Sequence, residues 1–137
     1  MPELTAHAKS LIEAFNKDDW DSVRSGFGDS TYNELGTQRS LGSPDEIIGA
    51  LQGWKSAMPD VKGTVTSAAE SDQRVVLEVT WEGTQTGEMV TEEGTIPPSG
   101  KRQKTPSAFI FDYDNGKLKE SRHYFDMLTF LKQIGAA

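Results

Sequence analysis

The sequence predicts an α+β domain in which helices come first, a run of antiparallel strands follows, and one helix closes the chain. Three observations carry this prediction. Apolar residues recur at helical spacing in residues 4–15 and again after Ser43. From residue 62 the period falls to two, over four segments separated by turn residues. After Phe125 the helical period returns. With 137 residues and no internal repeat, the chain makes a single domain over 1–137, long enough to bury a core without staples.

Each element has a local reason. In residues 4–15, Leu4, Ala8, Leu11, Ile12 and Phe15 form one apolar stripe, and Asn16 ends the helix. Residues 18–23, acidic at their start as the helix dipole favours, predict a second short helix. A loop rich in Gly and Ser then leads into a short strand at 31–35. Ser43, Pro44 and Glu46 spell an N-cap, a proline in the first turn and a capping box. Ile47, Ile48, Leu51, Trp54 and Met58 are the buried stripe that follows, and Pro59 stops the helix. The strands are expected at 62–70, 74–83, 104–113 and 117–125 as a four-stranded antiparallel meander, with a long polar connection before the third. Asp114-Asn115-Gly116 closes the last hairpin. Met127, Leu128, Phe130, Leu131 and Ile134 make the final helix, and Gly135 stops it.

Alternation sorts the strand residues by face. Val75, Leu77, Val79 and Trp81 share one face, Ser107, Phe109, Phe111 and Tyr113 another, and Lys119, Ser121, His123 and Phe125 a third. If these sets line one concave face under the helices, the space there holds Trp81, Phe109, Phe111 and His123. That is an apolar pocket with one convergent ionisable group. An imidazole, with an ordinary pKa of about 6.5, suits proton transfer near neutral pH. His123 is therefore the first candidate for general acid/base, against the alternative of a neutral histidine held in an aromatic cluster. Asp126 is the second candidate, and it also reads as N-cap of the helix beginning at Met127. Trp54 and Trp81 read as core or as a stack for a planar ligand.

Several runs resemble the SnoaL-like polyketide cyclase family: Trp54 with Met58-Pro59-Asp60, WEGTQTGE at 81–88, IPPSGK at 96–101, DNGKL at 114–118, and the DML and QIG runs between Asp126 and Gly135. They occur in order and at consistent spacing over 43–135. The resemblance implies a cone-shaped α+β barrel of the kind shared by nuclear transport factor 2, scytalone dehydratase and ketosteroid isomerase. N-terminal helices then pack on a curved antiparallel sheet. In the family's founding cyclases an aspartate on the last strand is the general acid/base for an aldol ring closure, beside a histidine on the preceding strand. Those two positions are His123 and Phe109 here. The superfamily also brings an early strand to the pocket mouth, which makes Tyr32 and Asn33 candidates for hydrogen bonds to substrate. Trp54, Trp81, Phe109 and Phe111 would then form the substrate-binding wall.

The expectation is cofactor-free acid/base chemistry of cyclase, isomerase or dehydratase type on a small apolar or aromatic carbonyl-bearing ligand. The alternative is a non-catalytic module of the same fold that binds a hydrophobe or serves as a dimeric scaffold. No cysteine is present, which excludes a thiol nucleophile and thiolate metal sites, and two isolated histidines call for no metal. A formal net charge of −7 makes nucleic acid or an anionic membrane an unsuitable partner. No apolar run approaches the length of a spanning helix and the first ten residues lack an apolar signal core, so a cytoplasmic protein is expected. The outer sheet face, with Val76, Ile110, Arg122 and Tyr124, is apolar enough that a homodimer through it is expected.

Overall fold

The computed structural model describes residues 2–137, in which four helices pack against a six-stranded mixed sheet. Helix α1 (Pro2–Asn16) buries Ala8, Leu11, Ile12, Ala14 and Phe15. Asn16 does more than end it: its carboxamide donates to the Gly63 carbonyl and accepts from the Gly63 N–H, both at 2.8 Å, which pins α1 to the sheet. Helix α2 runs Trp20–Phe27 rather than over 18–23. Asp18 has a positive φ of 57° and so lies outside the helix, while the Asp19 carboxylate accepts from the Ser22 N–H as N-cap. Gly28, at φ 55°, ends it. Helix α3 (Pro44–Ala57) opens with the predicted cap, Ser43 accepting from Glu46 N–H.

The strands are β1 (Thr31–Glu34), β2 (Arg39–Leu41), β3 (Lys62–Ser71), β4 (Arg74–Thr84), β5 (Met89–Thr91), β6 (Gly94–Ile96), β7 (Arg102–Asp114) and β8 (Lys117–Phe125). Helix α4 (Met127–Gln133) follows. The expected meander is present as β3, β4, β7 and β8, but it is not the whole sheet. The order is β2-β1-β8-β7-β4-β3, with β1 lying parallel to β8 and the hairpin β1–β2 extending that edge. The long connection before β7 is not simply polar loop; it folds into the two-stranded hairpin β5–β6. Gln85, fully buried, holds the base of this excursion: its side chain donates to Gly87 O and Pro97 O and accepts from Ser99 N.

Register decides what the concave face carries. Leu77 pairs with Phe109 and Phe109 with His123, so three adjacent strands present these side chains at one level. Between Asp112 and Tyr113 the register shifts: Asp112 opposes Glu120 whereas Tyr113 opposes Leu118. Lys119 is the extra residue. It is exposed and Leu118 is buried, which corrects the alternation that placed Lys119 on the His123 face. Helices α1 and α3 cover this face with Leu11, Ile12, Ile47 and Ile48 as the main core. Phe15, Met58, Val61, Phe130 and Ile134 form a second cluster where α4 folds back. Mixed layers of this kind, helices on one side of a curved sheet, make the α+β cone. No helix among the described residues is long and apolar enough to cross a membrane.

Candidate functional site

Between the helices and the concave sheet face lies a cavity of about 70 Å³. Helix α1 contributes Leu11, Ile12 and Phe15, α3 contributes Leu51 and Trp54, and α4 contributes Phe130. The sheet contributes Tyr32, Glu34, Trp81, Phe109, Phe111, His123 and Phe125, with Gln103 and Thr105 further along β7. The wall is almost wholly apolar, so its few polar groups stand out.

His123 is the centre of one such group. Its ring stacks on Phe109 at 4.1 Å between centroids and 11° between planes, and Trp81 and Phe125 close round it. The Trp81 indole N–H donates to His123 Nε2 at 3.1 Å and to Ser107 Oγ at 3.0 Å. An indole nitrogen is a donor only, so Nε2 must carry the lone pair and the ring proton sits on Nδ1. Nδ1 lies 3.3 Å from Tyr32 Oη, and the Tyr32 hydroxyl donates to Glu34 Oε2 at 3.1 Å. The result is a directed chain from Trp81 through His123 and Tyr32 to Glu34.

Glu34 terminates the chain and is itself 1% exposed. Trp54 Nε1 donates to its Oε2 at 2.9 Å. Its Oε1 accepts from Thr37 Oγ1 at 2.6 Å and from Arg39 at 2.6 and 3.2 Å. Burial pushes this carboxyl up, but the hydrogen bonds from Thr37, Arg39 and Trp54 outweigh burial and hold it below its ordinary range. Glu34 is therefore an anion in a nearly closed shell of donors. Burial, with the Glu34 charge added, drives the Tyr32 hydroxyl well above 10. Burial also pushes His123 down to about 4, with the Glu34 charge pulling the other way, so the imidazole is neutral at pH 7.

The structure brings Tyr32, Trp54, Trp81, Phe109, Phe111 and His123 to this one cavity. Two candidates lie elsewhere. Asp126 is exposed and caps α4, its carboxylate accepting from Leu128 N at 3.0 Å and Thr129 Oγ1 at 2.8 Å. Its three-residue offset from His123 turns it away from the concave face, and the start of α4 then claims its oxygens. Asn33 is on the other side of β1 from Tyr32. Its side chain donates to Glu120 Oε2 and accepts from Ser40 Oγ on the outer face. Successive residues of a strand point to opposite faces, so Tyr32 and Asn33 could not both reach one site.

The same rule would have found the missing member. The side chain two residues from Tyr32 is Glu34, and a carboxylate on the inner face of a strand needs donors or a function. Thr37 and Arg39 could be located only through the β1–β2 hairpin, which the sequence did not announce. Gln103 and Thr105 lie on the Phe109 face by simple alternation, at positions preceding the strand start taken from sequence or at its edge. Among the described residues no three or more His, Cys, Asp or Glu side chains group so as to hold a metal ion.

The model of the family described as SnoaL-like polyketide cyclase matches residues 5–134. No curated protein matches the chain in sequence. Among solved structures, AclR from Streptomyces galilaeus superposes with a TM-score of 0.83 at 22% identity, over 100% of this chain and 87% of its own. TsrD from Streptomyces laurentii gives 0.82 at 20%, over 100% and 98%. A protein from Catenulispora acidiphila, described as having a ketosteroid isomerase-like fold, gives 0.80 at 16%, over 96% and 93%. At these identities the likeness is one of fold.

Proposed function

Because the chain belongs to the SnoaL-like polyketide cyclase family, we propose that it is a cofactor-free acid/base enzyme that abstracts and returns a proton beside the carbonyl of an apolar ligand. Cyclisation, isomerisation and dehydration all begin with such a step. The observation that carries the reading is the neutral His123, a lining residue of the cavity whose Nε2 accepts from the Trp81 indole N–H while Nδ1–H is tied through Tyr32 to the Glu34 anion.

The step runs as follows. The ligand carbonyl oxygen first takes the Trp81 indole N–H, which frees the single Nε2 lone pair. Nε2 then accepts the proton from the carbon next to that carbonyl, the C–H electrons form the new C=C bond, and the carbonyl π electrons move onto oxygen. The indole N–H, shared at rest between Ser107 Oγ and His123 Nε2, is then already on the ligand oxygen as that oxygen gains charge. The new imidazolium keeps its Nδ1–H bond to Tyr32, and the Glu34 charge behind it favours the charged ring. Phe109, Phe111 and Trp54 exclude water, which strengthens each of these interactions. Return of the proton from Nε2 to carbon or oxygen completes the cycle.

A test that needs no knowledge of the natural ligand is hydrogen exchange at the α-carbon of 1-tetralone in D2O, followed by NMR. The native protein should exchange those hydrogens above the buffer rate, and His123→Phe should lose about 10²-fold or more of that enhancement. Equal exchange by both proteins would remove His123 from the reaction. The partner reading is separate: we propose that a second copy covers the outer sheet face, where Val76 and Ile110 are only half-buried and Tyr124 is 42% exposed.

A further inference from the structure

The far end of the cavity from His123 holds a second polar group that the proton transfer does not use. Gln103, Thr105, Ser107 and Phe109 succeed one another on the inner face of β7. One Trp81 N–H reaches both His123 Nε2 and Ser107 Oγ, so the reacting nitrogen lies beside Ser107 and Gln103 is two two-residue steps away from it. Gln103 is 1% exposed and lines the cavity together with Met58 and Thr105.

Which way its amide points follows from a chain of bonds anchored on the backbone. The Lys104 N–H can only donate, and it donates to Gln133 Oε1 at 2.7 Å. Gln133 Nε2 is therefore the donor to Thr105 Oγ1, at 3.1 Å. The Thr105 hydroxyl has one hydrogen of its own, and among the described residues its acceptor is Gln103 Oε1 at 2.6 Å. That leaves the Gln103 NH2 group on the other side, where among the described residues its one partner is the Met58 thioether, 3.4 Å from Nε2. A thioether is a weak acceptor. Two good donor hydrogens are thus held in an apolar, buried place with almost nothing to bond, and a buried donor left so is costly.

We propose that Gln103 binds a neutral oxygen acceptor on the ligand, at the end remote from the carbonyl that His123 acts upon. This rests on the cavity being a ligand site, as proposed above, and adds what the ligand must look like. It is two-ended, with a carbonyl or ether oxygen opposite the reacting ketone. It is also uncharged, because no Lys or Arg lines the cavity to balance an anion and Glu34 already places a negative charge there. Gln133 is a positioning residue that acts through Thr105.

The probes are 6-acetyl-1-tetralone, 6-isopropyl-1-tetralone, which has the same shape without the acceptor, and 6-carboxy-1-tetralone. Dissociation constants are read from tryptophan fluorescence, since Trp54 and Trp81 line the cavity. The native protein should bind the acetyl compound about three- to tenfold more tightly than the isopropyl one, the range of one neutral hydrogen bond. The carboxylate should bind most weakly. In Gln103→Leu the acetyl preference should fall to one or below. In Gln133→Leu it should shrink while the isopropyl constant stays put, a pattern that mere loosening of the fold would not give. If the isopropyl and acetyl compounds bind the native protein equally, the Gln103 assignment is overturned and the cavity reading stands. If neither compound binds, the ligand-site reading falls and takes this one with it. The comparison within the native protein holds even where Gln103→Leu fails to fold.

Discussion

Replacing His123 with Phe should abolish a specific slope in the stability of the protein against pH. The imidazole has an ordinary pKa of 6.5 in the unfolded chain and is pushed down to about 4 in the folded one, mainly by burial against Phe109 and Trp81. Between these values the unfolded state binds the extra proton and the folded state does not. Stability therefore falls as pH falls through the window from 6.5 to 4, and it is fully present above 6.5. From pH 7 to pH 5 this one group should cost the native protein about 2 kcal/mol, by the linkage relation applied to those two values. Phe at the same place keeps the aromatic stack. Trp81 N–H keeps Ser107 Oγ, and the Tyr32 hydroxyl keeps Glu34, so the substitution strands no donor. The two proteins should thus be of similar stability at pH 7, and His123→Phe should be the more stable at pH 5 by about 2 kcal/mol. Urea unfolding at pH 7, 6 and 5 measures this directly. A slope of 1–3 kcal/mol/M makes the expected separation roughly 1 M in midpoint. Other titrating groups, the half-buried His7 among them, are common to both proteins and cancel in the difference. Parallel curves, or a variant that loses ground at pH 5, would refute the claim that burial holds His123 neutral.

Three further outcomes follow from the same contacts. Glu34→Gln puts an NH2 group where a fixed donor already points, Trp54 N–H on one side or Arg39 on the other. It should cost about 2–3 kcal/mol and lower Tm by roughly 6–12 °C, read by calorimetry, while a Tm within a degree or two of native would contradict the shell of donors. Asp126→Ala removes the α4 cap and should lower Tm by roughly 2–5 °C while leaving 1-tetralone exchange unchanged, whereas a matching loss of exchange would return Asp126 to the site. Light scattering should give about 30 kDa, twice the 15.0 kDa chain, falling toward the monomer in Ile110→Lys; a native mass of 15 kDa would dispose of the proposed dimer.

Much of the fold was readable because its signals are local. The Ser43 cap, the stop at Pro59 and the Asn115-Gly116 turn, with φ of 52° and 78°, are written in adjacent residues. The face of β7 carrying Phe109, Phe111 and Tyr113 follows from alternation alone. What escaped depends on distant partners. The short strand expected at 31–35 is β1, but its four residues name no partner, and their parallel pairing with β8 joins segments some ninety positions apart. That pairing brings Glu34 beside His123, so the carboxylate went unseen along with the hairpin that delivers Arg39. The extra residue Lys119 is likewise invisible until Tyr113 is set against Leu118. In the site, His123 and the aromatics converge, but the family resemblance that brings an early strand to the pocket mouth does not say which of two neighbours faces in, and the pleat admits Tyr32 and turns Asn33 out.

The most direct measurement is a nitrogen-15 NMR spectrum of His123 at pH 7, assigned with His123→Phe, before and after 1-tetralone is added. The proton-transfer account predicts a neutral ring with its hydrogen on Nδ1 and a bare Nε2 accepting from Trp81, and an Nε2 signal that moves when the ketone binds. A ring protonated on Nε2, or one whose Nε2 ignores every ketone offered, would mean that the lone pair does not face a ligand, and the catalytic reading would fail.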